Sequence, residues 1–238
     1  MATSADPRVA DLGSAGRLRF GLFPSFFYSK APNGELHGVG VKIARALAAK
    51  IGVTLDLHEY PSPPGVVQAL AASEIDVATL GIDPARAAEV DFSPAYMKAD
   101  FTFLVPADSP IGTIGDADRS GVRIAIVHNH AMDTALKLNH AERLYAEVPD
   151  AAFELLRTKQ AGVLAGIRPG LMSYAAKLPG SRVLDGSYGA NVLALAVAKG
   201  NAPWLGYVNE FVEQARTSGL VRRAIESAGL RGIDVVTS

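Results

Sequence analysis

The chain has no cysteine in its 238 residues. That excludes disulfides, thiolate nucleophiles and cysteine metal sites, and it leaves the compartment open, since a cysteine-free chain suits reducing and oxidising surroundings alike. An excess of either charge is also missing. With 23 Lys and Arg against 24 Asp and Glu the net charge is −1, and no basic stripe or polybasic run points to nucleic acid or to a membrane surface. No apolar run reaches the ~18 residues needed to span a bilayer. The opening MATSADPRVADLGSAGRL has no basic start followed by an apolar stretch, so no secretory signal is visible in it. A small, polar, Ala/Ser-rich start also suits an exported chain whose signal has been removed. Repeats of fixed period and low-complexity segments are absent too. What remains is ordinary globular composition, 49% hydrophobic and 20% charged, enough for one large domain or two small ones. The expected partner is a small molecule or a protein.

Strands and helices alternate along the chain. Residues 17–22 (RLRFGL) alternate as a strand, Asn33 and Gly34 make a turn, and Val39, Ile43, Leu47 and Ile51 form one face of a helix that Gly52 stops. Residues 54–59 (TLDLHE) read as a strand, 66–72 as a helix and 75–80 as an apolar strand. The apolar strand 101–105 (FTFLV) leads into a polar, Gly-containing stretch that ends near Ser120. A second series follows: strand 122–127, helices 131–138 and 151–157, and the short apolar strand 162–167. The buried-strand run 191–198 (NVLALAVA) and two helices, 204–215 and 220–228, complete the chain. Such alternation implies α/β sheets, which bind ligands at the carboxyl ends of their strands.

Residues 81–96, GIDPARAAEVDFSPAY, carry the clearest chemistry. Asp83 reads as an N-cap, Pro84 as the first helical residue, and Arg86 lies just inside. A helix start with unpaired amides beside a guanidinium fork is suited to a small carboxylate. The loop holding Phe23, Phe26, Phe27 and Tyr28 gathers four of the chain's nine Phe and seven Tyr between a strand and a turn, more than a core needs there.

These residues resemble the type II periplasmic solute-binding proteins of ABC importers, in particular the polar-amino-acid branch. The resemblance is carried by NGELHGVGVKIARALAAKIG at 33–52, VVQALAASEIDVATLGIDPARAAEVDFSPAY at 66–96, and ALAVAKGN before VNEFVEQARTSG. It implies two doubly wound α/β lobes joined by two hinge strands, here 101–105 and 191–197, with ligand trapped between them by hinge closure. Lobe 1 is then expected at 1–103 and 193–238, and lobe 2 at 104–192. The resemblance implies that Arg86 clamps the ligand's carboxylate, that Thr79 and Gly81 offer a hydroxyl and a backbone amide, and that Phe26, Phe27 or Tyr28 stacks on the ligand. It implies an ABC importer permease as partner, a periplasmic location, a monomer, and no cofactor or metal.

The chain departs from the family pattern in its second half. Amino-acid binders place an aspartate for the ligand's ammonium where this chain reads GVLAGI at 162–167, with no acid. An unpaired ammonium in a closed site costs several kcal/mol, roughly what breaking a buried ion pair costs. Arg168 follows at a strand's carboxyl end and is a candidate second cation, so a diacid, or an acid with a carbonyl or hydroxyl, is expected in place of a plain amino acid. Where the family has Gly-Thr or Gly-Ser, this chain reads His128, Asn129, His130. His130, with Asn129, is a candidate donor to an anion; two histidines without a third ligand make a poor metal site. A binder without chemistry of its own is therefore expected. The alternatives are an ordinary amino-acid binder, a dehydratase-like enzyme needing a general acid from Asp83, Glu35 or His130, and a ligand sensor. No paired carboxylates and no nucleophile with a base at suitable spacing support the enzyme.

Overall fold

The computed structural model describes residues 6–237 apart from 24, 26, 129 and 130, and for Ser29 the backbone alone. From the N-terminus the elements are α1 (Ala10–Ala15), β1 (Arg17–Leu22), β2 (Ser29–Lys30), β3 (Leu36–His37), α2 (Val39–Ile51), β4 (Thr54–Glu59), α3 (Pro63–Ala71), β5 (Val77–Gly81), α4 (Pro84–Ala87), β6 (Val90–Phe92) and β7 (Met97–Val105). They continue with β8 (Arg123–Val127), α5 (Ala131–Ala135), β9 (Glu142–Ala146), α6 (Pro149–Arg157), β10 (Val163–Ile167), α7 (Arg168–Ala175), β11 (Arg182–Val183) and β12 (Gly189–Ala198). The chain closes with α8 (Ala202–Thr217), α9 (Leu220–Ser227) and β13 (Ile233–Val235).

The chain forms two compact units. Unit 1 comprises Met1–Met97, Val192–Leu230 and Asp234–Ser238; unit 2 comprises Lys98–Asn191 and Arg231–Ile233. The first boundary falls earlier than the 103 expected. The reason is packing: Phe101, Phe103 and Val105 of β7 lie in the core of unit 2, against Ile124, Ile126 and Met132.

In unit 1, β1 lies between β4 and β5 and runs parallel to both, with Phe20 opposite Leu57 and Val77. β12 pairs antiparallel with the other side of β5, Leu193 opposite Gly81, and β6 adds to β12. Every residue of β5 is buried, as a strand covered on both faces requires. α2 buries Val39, Ile43 and Leu47 and ends where Gly52 takes φ 85°, a left-handed conformation that needs no Cβ. Its start is fixed by another glycine: a Cβ on Gly38, at φ +121°, would lie 2.5 Å from the Phe27 carbonyl oxygen.

In unit 2, β8 lies between β9 and β10 and runs parallel to both, while β7 pairs antiparallel with β10, Phe101 opposite Ile167. Side chains alternate across this sheet. Ile124 and Ile126 face Met132 and Leu136, and Ala125 and Val127 face Phe153, Leu156 and Leu171. Helices thus cover both faces, the doubly wound arrangement.

Three local differences from the sequence reading have physical causes. α5 stops at Ala135, short of the expected 138, because Asp118 draws the chain beyond it away, accepting from the backbone amides of Asn139, His140 and Ala141. β9 was not foreseen; it is a mostly exposed edge strand with little apolar alternation to mark it. α7 was not foreseen; it opens at Arg168, directly after β10, where Pro169 supplies a helix-compatible φ in the first turn.

Candidate functional site

The carboxyl ends of β1, β4 and β5 lie side by side in unit 1, at Leu22, Glu59 and Gly81. From the end of β5 the chain turns at once into α4. Asp83 caps this four-residue helix, its Oδ1 accepting from the amides of Ala85 at 2.9 Å and Arg86 at 3.3 Å. Those amides are therefore satisfied within the chain. This corrects the expectation that they stand free for an anion, and it leaves Arg86 as the candidate anion-binding group of the segment.

Arg86 is half-buried, and its Nη1 donates to the Gly81 carbonyl at 2.9 Å. That bond aims one nitrogen back at β5; the rest of the guanidinium fork has no acidic partner among the described residues. At the other end of α4, Lys199 Nζ donates to the Ala87 carbonyl at 2.7 Å and so holds the turn against β12. Gly81 serves Arg86 through its carbonyl oxygen.

The other expected contacts of unit 1 are turned to internal partners. Thr79 is fully buried, its hydroxyl 2.9 Å from the Tyr96 hydroxyl. Phe27 is 1% exposed and meets Phe23 edge-on, with ring centroids 5.5 Å apart. The Tyr28 hydroxyl donates to Glu59 Oε2, and Lys30 Nζ lies 2.7 Å from Glu59 Oε1. Burial, with the Glu59 bond second, pushes the Tyr28 hydroxyl up to about 12, so it remains a donor; Lys30 first and Tyr28 second hold Glu59 below the usual carboxylate range. Glu59 escaped the sequence reading, although its place at the carboxyl end of an alternating strand is the signal that marks it. These side chains brace the loop from Phe23 to Lys30. In the structure Thr79, Phe27 and Tyr28 each have one of these internal partners. Phe26, Asn129 and His130 lie outside the described residues. His128 sets its ring 4.7 Å from that of Tyr145.

In unit 2, β10 ends in Ile167 with no acid beside it. Arg168 is committed within its own unit. Its Nη1 donates to the Leu184 carbonyl at 3.0 Å and its Nη2 to the Gly186 carbonyl at 2.6 Å, with Asp100 Oδ2 3.6 Å away. Its stem packs on Gly232, where a Cβ would come within 2.6 Å. This corrects the expectation of a free second cation. Two carboxylates of this unit form ion pairs, Asp100 with Lys98 and Arg168 at 3.6 Å each and Asp133 with Arg143 at 3.2 Å, and Asp100 Oδ1 is buried without a hydrogen-bond partner among the described residues.

A chain of two α/β units accords with the comparisons. Residues 21–227 match the model for bacterial extracellular solute-binding proteins, family 3. The chain belongs to that family. This family 3 protein is 29% identical over 177 residues to a glutamine-binding protein of Geobacillus stearothermophilus; the match takes in 70% of the chain and spans 65% of that relative's length. Among solved structures, an ancestral cationic amino acid solute-binding protein superposes with a TM-score of 0.75 at 25% identity, over 92% of this chain and 98% of that one. A solute receptor for L-cysteine of Neisseria gonorrhoeae gives 0.69 at 25% identity, over 92% of each chain. The fold of this family 3 protein is that of the type II periplasmic binding proteins. Among the described residues no helix is long and apolar enough to cross a membrane.

Proposed function

We propose that this family 3 protein captures a small carboxylate-bearing solute outside the cytoplasm, holds it by Arg86, and delivers it to an ABC importer without chemistry of its own. The observation that carries the reading is the Arg86 guanidinium, fixed on one side by the Gly81 carbonyl and with no acidic partner among the described residues. A planar fork held in this way recognises a carboxylate through two parallel hydrogen bonds. The solute class follows from unit 2. The strand that ends in Ile167 carries no acid where amino-acid binders of the family place one for the ammonium. An organic acid or an amino-acid derivative with a masked amino group suits this strand end better than a free amino acid. An ordinary amino acid is the second reading, favoured by the relatives named for glutamine, cationic amino acids and L-cysteine.

A thermal-shift screen of refolded, ligand-stripped protein against amino acids, keto acids, dicarboxylates and aromatic acids tests both readings. A ligand at 100 times its dissociation constant adds about 2.7 kcal/mol of stability. Stabilisation by acids without an amino group supports the first reading, and stabilisation by free amino acids alone moves the assignment to the second. Arg86→Ala is expected to abolish every shift while leaving the ligand-free melting temperature within a few degrees. An unchanged shift in this variant overturns the site.

A further inference from the structure

A basic cavity lies within unit 2 at the amino ends of its parallel strands, the end of the sheet away from Val127 and Ile167. It forms where β8 opens at Arg123 and where the turn after α6 leads through Lys159 and Gly162 into β10. Its volume is about 430 Å³, within the range of small-ligand pockets, and Pro106, Pro110 and Ile111 give it an apolar wall. That wall is tied to β11, because Arg182 Nη2 donates to the carbonyls of Ser109 at 3.0 Å and Ile111 at 3.3 Å. Arg119, Arg123 and Lys159 on its rim are exposed, so the cavity is open to solvent.

The three cations reach this cavity from three segments of chain. Arg119 is paired with Asp116. The side chains of Arg123 and Lys159 have no hydrogen-bond or ion-pair partner among the described residues, although Glu142 stands opposite Arg123 on β9. Asp108 and Asp116 are the acids of the lining, set against these three cations and the adjoining Arg182, so the cavity is positive on balance. Lys159 is placed there at a cost. Its φ is 60°, a left-handed conformation that few residues other than glycine adopt and that glycine holds without strain. A strained backbone that presents an unpaired charge to a cavity calls for a reason beyond folding.

We infer that this cavity is a second anion site, in which Arg123 and Lys159 bind a small anion of the phosphate class that carries two or more negative charges. Such an anion neutralises both free cations at once. Its tetrahedral oxygens also accept from donors that converge from different segments, with Arg123 supplying a fork and Lys159 a point charge. The site lies in one unit and uses neither Arg86 nor any other residue assigned to the solute, so it stands or falls independently of the solute-binding reading.

The test is calorimetric titration of inorganic pyrophosphate into the full chain at low ionic strength, where exposed cations are least screened. The wild type is expected to bind one pyrophosphate per chain at this site, and Lys159→Gly and Arg123→Gln each to weaken that binding at least tenfold. Lys159→Arg, which keeps the charge, is expected to retain it. Lys159→Gly is also expected to keep or raise the urea midpoint, since it relieves the left-handed strain, so its loss of binding cannot be a loss of fold. A wild type that binds no pyrophosphate overturns the inference, as does unchanged binding in both weakened variants or a lowered urea midpoint in Lys159→Gly. Arg86→Ala separates the two sites. It is expected to bind pyrophosphate as the wild type does; if binding is lost there instead, the anion sits at Arg86 and the second site is wrong, while the solute-binding reading stands.

Discussion

Thr79 and Tyr96 show how a polar pair is carried in a buried strand. Both are fully or almost fully buried, and their hydroxyls satisfy one another at 2.9 Å. Thr79→Val is expected to cost about 1–3 kcal/mol, because it strands the Tyr96 hydroxyl where water cannot reach it. Adding Tyr96→Phe should return part of that loss, since two apolar partners leave nothing unpaired; urea denaturation of the ligand-free single and double variants checks this. Asp118 makes a second residue-scale prediction. Three backbone amides, those of Ala141, Asn139 and His140, hold its carboxyl at about 2 against an ordinary 3.8. A carboxylate whose folded value is depressed stabilises the fold above its unfolded value, and that contribution fades as pH falls from about 4 towards 2. Melting curves between pH 5 and pH 2 should therefore show Asp118→Asn less stable than the wild type at the upper end and level with it at the lower.

At the scale of elements, α4 is the informative case. Four residues are too few to sustain a helix by their own propensity. The turn persists because Asp83 caps it, Pro84 presets its first φ, and Lys199 holds its last carbonyl. Losing the cap costs about 1 kcal/mol, a small fraction of the stability of the whole but enough to release the turn that aims Arg86. Asp83→Ala is thus expected to lower solute affinity at least tenfold with a small change in urea midpoint, and Asp83→Asn, which still accepts from the two amides, to restore most of the affinity. Equal affinity in the wild type and Asp83→Ala would show that Arg86 is placed by its Gly81 bond alone. The elements that read poorly in the sequence are those whose limits were set from elsewhere: α5 by the Asp118 carboxylate, and β9 by pairing with β8 along a mostly exposed edge.

For the molecule as a whole, the decisive feature is that unit 1 is built from segments far apart in the chain. β12 flanks β5, α9 packs on α2, and the Trp204 indole donates to the Asp76 carbonyl at 2.8 Å. Unit 1 should therefore fail to fold without its C-terminal part. A chain ending at residue 191 is expected to lose cooperative unfolding of residues 1–97, together with far-UV circular dichroism beyond what the missing helices account for. A truncated chain that kept a full cooperative transition would show that residues 1–97 suffice.

The sequence by itself determined the class of this protein. Apolar pattern located β1, α2 and β4 by alternation or helical spacing and β5, β8, β10 and β12 as short apolar runs, and the run from Gly81 to Tyr96 marked Arg86 through local capping chemistry. Tertiary structure decided what each polar group does. Whether Arg168 is free or spent depends on two carbonyls sixteen and more residues away, at Leu184 and Gly186, and Thr79 meets Tyr96 because β5 packs on the segment just before β7. Such pairings are long-range, and no local pattern encodes them. The Tyr188 hydroxyl, buried without a hydrogen-bond partner among the described residues, is a further case, since no local pattern shows it.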